Sequence, residues 1–197
     1  MTNTFKLLNL LALALAMTVG LSVGPAFADE SKSEDAPLKG GIIYGKDHAY
    51  VLSAPDGWVL DNQSGVEQGL HAVFYPEGGN WSDSKAVMYT RIHDKANKTI
   101  EEVIKTDLDN MKQDAPNFKA EDQENITCQK GSKAVIKYLS GDKFGSFEAV
   151  AYIDEPKKAV IIVLTARDEG NFKSSVTAFN ELVKSYFWMT DKVKIEK

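Results

Sequence analysis

The sequence predicts an α+β fold, a three-layer α/β/α sandwich on a mostly antiparallel sheet with two main helices. Three observations carry that expectation. Residues 133–167 hold three β-rich runs separated by short polar turns: Lys-Ala-Val-Ile-Lys-Tyr-Leu, Ser-Phe-Glu-Ala-Val-Ala-Tyr-Ile and Ala-Val-Ile-Ile-Val-Leu-Thr-Ala-Arg. Turns that short force antiparallel neighbours. The last run is apolar on both faces, as a central strand covered from both sides must be. Two amphipathic stretches, near residues 99–115 and 172–187, each carry one apolar stripe at helical spacing and supply the covering layers.

In chain order, residues 1–28 read as a cleaved signal peptide of the Sec type. Lys6 marks a short n-region, residues 7–17 are apolar except Asn9, and Gly24-Pro25-Ala26-Phe27-Ala28 supplies a helix break and an Ala-x-Ala cleavage signal. A spanning helix needs about 20 apolar residues, and this run weakens at Thr18, Gly20 and Ser22. The expected product is periplasmic or secreted, with no integral membrane anchor after cleavage. Losing Lys6 makes the formal net charge of −5 one unit more negative. That mild acidity argues against nucleic acid and anionic lipid, both of which reward basic patches. Cys128 is the only cysteine, so no internal disulfide can form; within Asn125-Ile-Thr-Cys-Gln it reads as a buried thiol.

Residues 29–41 are charged, small and aperiodic, and are expected as a disordered tether. Residues 42–190 form the single domain, and 191–197 a frayed charged tail. Residues 49–53 and 58–60 read as a first hairpin around Pro55-Asp56-Gly57, whose residues preset β-turn dihedrals. Trp58 is expected to plug the end of the core. Further strands are expected at residues 70–75 and 85–93, the latter with Ala86, Met88, Thr90 and Ile92 on one face and Val87, Tyr89 and Arg91 on the other. Thr99 and Glu102 form a capping box that opens the first helix, striped by Ile100, Val103, Ile104, Leu108 and Met111 and stopped at Ala115-Pro116. Residues 118–129 read as an edge strand or as a strand that starts late, near Ile126. The terminal helix carries Phe172, Val176, Phe179, Val183 and Phe187 on one stripe.

At Tyr50-Val-Leu-Ser-Ala-Pro-Asp-Gly-Trp58 the chain resembles the opening of the PsbP-like superfamily, Phe/Tyr-x-x-x-x-Pro-x-Gly-Trp. The Tyr75-to-Trp81 loop, the Thr-Ile-Glu-Glu helix start, the strand meander and the terminal aromatic-rich helix agree with it, over about residues 45 to 190. That superfamily includes the extrinsic photosystem II protein, a Ran-binding nuclear import factor and many bacterial exported proteins. The resemblance implies a binding, assembly or accessory role without catalysis. Its motifs are structural, and no functional residue is carried over from it.

Chemistry is sparse. There is no nucleophile elbow, zinc-helix pair or Cys-His arrangement, and His48, His71 and His93 lie at strands rather than at helical i, i+4 spacing. No catalytic residue, metal ligand or cofactor is assigned. The acidic Glu121, Asp122 and Glu124 lack the loop spacing of a calcium site and read as a solvated edge. The feature that points to function is the loop Glu77-Gly-Gly-Asn-Trp-Ser-Asp83, because a tryptophan among turn formers gives large contact area at low entropic cost. Tyr75, Trp81 and Asp83 are the expected partner-binding residues, engaging an unidentified protein partner. Two alternatives stand beside this reading. One is a small-ligand or lipid carrier with a pocket under the terminal helix, lined by Phe172, Phe179 and Phe187. The other is a hydrolase that brings His71 or His93 to Ser82 or Asp83.

Overall fold

The computed structural model describes residues 39–193; the signal peptide, most of the tether and the last residues of the tail lie outside them. In chain order the elements are β1 (Gly40–Tyr44), β2 (Ala49–Ser53), β3 (Trp58–Asp61), β4 (Val73–Pro76), β5 (Ala86–Asp94) and α1 (Ile100–Asp114). There follow β6 (Lys119–Asp122), β7 (Ile126–Thr127), β8 (Lys133–Ser140), β9 (Phe147–Asp154), β10 (Lys158–Ala166), α2 (Glu169–Ser185) and β11 (Phe187–Thr190). β1 starts at Gly40, inside the span expected as tether.

β10 is the central strand, buried at every position but Thr165. It pairs antiparallel with β5 and β9, Val163 lying opposite both Tyr89 and Val150. The main sheet runs outward through β5 and β4 to edge strand β3, and on the other side through β9 and β8 to β6 and β7. β1, β2 and β11 form a separate three-stranded sheet. The expected single sheet is therefore two.

The division corrects one element. Residues 49–60 make the expected turn, with the Trp58 amide donating to the Pro55 carbonyl at 3.0 Å and Gly57 at φ 75°, but no hairpin. β2 pairs with β1 and β11, and β3 with β4. The reason is apolar demand: Tyr50 and Leu52 of β2 and Trp58 and Leu60 of β3 all enter the same core. Two strands that must face each other across a core cannot also lie edge to edge.

Two cores result. Between the main sheet and the layer of α2 plus the small sheet lie Tyr50, Leu52, Phe74, Met88, Leu164, Phe179, Leu182 and Tyr186, all completely buried. Each such side chain contributes roughly 1.5–3 kcal/mol by leaving water. On the opposite face α1 places Ile100 and Ile104 on Leu139, Val150, Tyr152, Ile161 and Val163. Its capping box is complete: the Thr99 amide donates to Glu102 Oε2 at 2.8 Å and the Glu102 amide to Thr99 Oγ1 at 3.3 Å. Layer by layer this is the expected α/β/α sandwich.

A second correction concerns Phe187. The helical stripe places it on α2, yet the helix ends at Ser185 and Phe187 opens β11, opposite Val51. Tyr186 turns the chain. Its backbone is extended, its ring is fully buried, and its hydroxyl donates to Glu155 Oε1 at 3.1 Å. A residue four past Val183 fits a helix period, but the run Phe-Trp-Met-Thr has strand chemistry and takes the free edge of β2.

Candidate partner-binding face

On the α1 side, the helix does not reach the whole sheet. Its core draws on β8, β9 and β10 and takes only Tyr89 from β5. Register places Val73 opposite Tyr89, and alternation adds Val59, Tyr75 and Arg91 to the same face. This β3–β4–β5 end lies beyond α1 and is covered by two loops. The segment around Gly65 and Leu70, with a single 3-10 turn at Val66–Gln68, closes over Val73, which is fully buried. From the loop of residues 77–84, Trp81 meets Tyr89 in a T-shaped contact at 6.1 Å and 89°. The Arg91 guanidinium lies over the same Tyr89 ring, 5.0 Å from its centroid. Trp81 and Tyr89 are half-buried and Arg91 is exposed.

The loop holds Trp81 in one place. Asn80 Oδ1 accepts from the backbone amides of Ser82 and Asp83 at 2.9 Å each, and its amide donates to Asp83 Oδ2 at 3.1 Å. This is an Asx turn, in which a side chain stands in for a backbone acceptor. Arg167 donates from Nη2 to the Ser82 carbonyl at 2.8 Å, tying the loop to the end of β10. A side chain at Gly79 would come within 2.6 Å of Ser84 Oγ and 3.1 Å of the Pro76 carbonyl. A larger residue there would have to displace the Ser84 hydroxyl and crowd the Pro76 carbonyl.

Polar groups gather where the helix cover ends. Glu148 lies opposite Thr165 on this face. Burial pushes its carboxyl up to about 7, with Asp142 and Asp107 adding to the rise and Thr165 and Arg91 opposing it. Tyr152 donates to Asp107 Oδ2 at 2.6 Å. Burial and the nearby Glu148 raise the Tyr89 hydroxyl. Burial lowers His93, against the pull of Asp107. The face is thus aromatic at Trp81 and Tyr89, cationic at Arg91, and carries a carboxyl that changes charge near neutrality.

The three residues singled out in the sequence fare differently. Trp81 and Asp83 lie together on the ordered loop. Tyr75 shares the face, but its hydroxyl donates to Asp61 Oδ2 at 2.9 Å and so braces the turn after β3, away from Trp81. Asp61 in turn accepts from the amides of Gln63 and Ser64. Sequence reasoning missed Tyr89, Arg91 and Glu148 as members of the site. A signal existed: Tyr89 and Arg91 share a strand face, and Glu148 is a charge inside an apolar run.

The alternative constellations are not assembled. Ser82 and Asp83 precede β5 while His93 lies near its other end, roughly 23 Å away at strand rise. His71 packs near His48, ring centroids 6.2 Å apart. Among the described residues no group of three His, Cys, Asp or Glu side chains converges as a metal site. Phe179 is completely buried in the main core, and Phe187 lies on β11 beneath the Lys130 ammonium, 4.2 Å from its ring, so these rings do not line one pocket.

With the geometry in hand, the domain can be compared with known structures. It is similar to cyanobacterial PsbP (CyanoP) from Synechocystis sp. PCC 6803, with 14% identity over 81% of this chain and 98% of that one, at a TM-score of 0.50. At that identity the likeness is one of fold, and it is the PsbP-like fold that residues 50–58 resemble. Weaker overlaps occur with the Ran-binding protein Mog1p of Saccharomyces cerevisiae (14% identity, 76% of this chain, 94% of that one, TM-score 0.48) and with a protein of unknown function, PA94, from Pseudomonas aeruginosa (15%, 68%, 88%, 0.43). No family model and no curated protein matches the sequence.

Proposed function

We propose that this chain is an exported, non-catalytic binding or accessory protein that captures a protein partner through its 75–84 loop and the adjoining edge of the main sheet. The observation that carries the reading is Trp81. It is half-buried against Tyr89 on a loop locked by Asn80 and Arg167, so it is presented without needing to be ordered on binding. Aromatic anchors flanked by arginine are the residues that dominate protein interfaces. Arg91 and Asp83 supply polar rim contacts, and β3 offers an edge of the sheet that no strand among the described residues pairs with. The fold shared with PsbP is consistent with such a role, and the apolar leader directs the chain to where the partner would be met.

The test is a crosslinking capture from the native exported fraction, run with wild type and Trp81→Ala together. A specific protein retained by wild type and lost with the variant supports the reading. A variant that captures the same protein equally well removes Trp81 from the interface and sinks it.

A further inference from the structure

The second sheet carries a different surface, and from its geometry we infer that β1 is a self-association edge that pairs antiparallel with β1 of a second copy of this chain. β1 lies at the rim of the β1–β2–β11 sheet, and among the described residues no strand pairs with its outer side. The backbone direction of each residue follows from two hydrogen bonds. The Ala54 amide donates to the Lys39 carbonyl at 2.6 Å, and the Gly45 amide to the His48 carbonyl at 2.9 Å. Lys39 and Gly45 therefore point their polar groups toward β2, as do Gly41 and Ile43 by alternation. Gly40, Ile42 and Tyr44 point theirs outward.

Those same three residues carry their side chains on the exposed face, Ile42 and Tyr44 each at 57% exposure. An edge with this composition is unusual. Soluble proteins blunt such strands with lysine, proline or a bulge, and Gly-Gly-Ile-Ile-Tyr has none of these.

A two-fold axis through Ile42 makes the edge complementary to itself. Ile42 then faces Ile42 of the second copy, and Gly40 faces Tyr44 in both directions. All three outward-pointing residues fall into hydrogen-bonded pairs, giving six backbone bonds. Each Tyr44 ring lies over a bare Gly40, the arrangement in which an aromatic covers a strand glycine. Behind Ile42 the apolar row continues through Val51 to Phe187, so the joined sheets present one strip across six strands. Lys39, which precedes the strand, is paired with Asp56 at 3.7 Å and Glu77 at 3.8 Å, which lessens repulsion between copies; the Lys130 ammonium lies over Phe187 at the far end of the row. A second copy supplies every element of this fit, whereas a heterologous strand would need only one edge and no self-matching register.

The interface is short, so a weak, concentration-dependent dimer is expected. Sedimentation velocity of the purified, processed protein should show it. Ile42→Lys puts two like charges opposite each other at the axis and should weaken association at least about tenfold. Its thermal midpoint should hardly move, since the side chain is exposed in the single copy. Ile42→Cys gives a positive counterpart. At a hydrogen-bonded antiparallel pair the Cα atoms sit about 5.5 Å apart, within reach of a disulfide. Mild oxidation should yield a covalent dimer of this variant and none of Tyr44→Cys, whose cysteines would lie about 14 Å apart. Cys128 is buried and gives little background. A protein that stays monomeric to about 1 mM, a dimer indifferent to Ile42→Lys, or equal crosslinking by both cysteine variants overturns the proposal.

Discussion

The two faces of the main sheet are covered unequally. On the α2 side a helix and a second sheet close over it, and Tyr50, Phe74, Met88, Leu164, Phe179 and Tyr186 lie there without exposure. Two of its buried tyrosines are paired, Tyr50 with Thr90 at 2.7 Å and Tyr186 with Glu155 at 3.1 Å, while His48 Nε2, stacked beside Tyr50, has no partner. On the α1 side one helix covers the centre, and the β3–β5 end is left to loops. Tyr89, Arg91, Glu148 and Trp81 collect at that margin. A sheet that is apolar on both faces must be covered on both, and where the cover is thin, side chains with one apolar and one polar end take over. The first face is the larger closed core, and the second is the face proposed for partner capture.

The sharpest way to test that division is to open the closed face. Phe179→Ala should cost about 3–5 kcal/mol in a urea unfolding experiment, because neighbours locked in a finished core do not collapse into the space. A loss near 1 kcal/mol would mean that the α2 core is loosely packed and the contrast between faces is wrong.

The next effect concerns the clamp between small sheet and main sheet. Lys158 is 6% exposed and donates to Asp47 at 2.6 Å and Asp94 at 2.7 Å. Burial pulls its pKa down, but those two carboxylates more than compensate and leave it raised. Replacing both acids, Asp47→Asn with Asp94→Asn, strands a buried cation and should cost about 3 kcal/mol. Lys158→Met leaves only exposed acids behind and should cost much less. Acid loosens the same clamp. The hydrogen bond from Lys158, then that from His48, holds Asp47 at about 2, below its ordinary 3.8. Its contribution is therefore complete above 3.8 and disappears as pH falls through about 2.

Glu148 behaves in the opposite sense on the open face. Its folded-state pKa is raised from 4.5 to about 7, so ionisation opposes folding increasingly between those values and fully above them. Glu148→Gln should therefore stabilise the protein at pH 8, by on the order of 2 kcal/mol, and change nothing at pH 4. Thermal melts of both proteins across that range check it. A pH-independent difference would show that Glu148 is solvated and that the face is more open than its burial indicates.

The smallest stability change belongs to Trp81. Trp81→Ala should lower stability by no more than about 1 kcal/mol, since the ring is only half-buried on a surface loop, while partner capture falls sharply. Trp58→Ala is the contrasting variant. That ring is 7% exposed within the closed core and should cost about 3–5 kcal/mol.

Much of this was legible in the chain. The doubly apolar run at 159–166 announced a central strand, the Thr99–Glu102 pair announced α1, and Trp58 beside Val59 and Leu60 announced a core aromatic. The loop around Trp81 stood out from composition alone, as a tryptophan among turn formers. The site around it did not, because Tyr89, Arg91 and Glu148 come together only through the register of β5, β10 and β9. Local pattern shows which face a residue shares with its own strand, not which strand will stand beside it.

The sequence by itself determined periodicity, turns and caps, since these depend on interactions within a few residues: the meander, both helices and the antiparallel order follow from them. Only the tertiary structure decided that residues 49–60 split between two sheets, that Phe187 leaves α2 for the edge of β2, and that α1 stops short of β4. Each of these outcomes is a competition for shared apolar surface between segments far apart in the chain. Short-range preference is nearly indifferent there, and burial, a property of the whole packed domain, settles it.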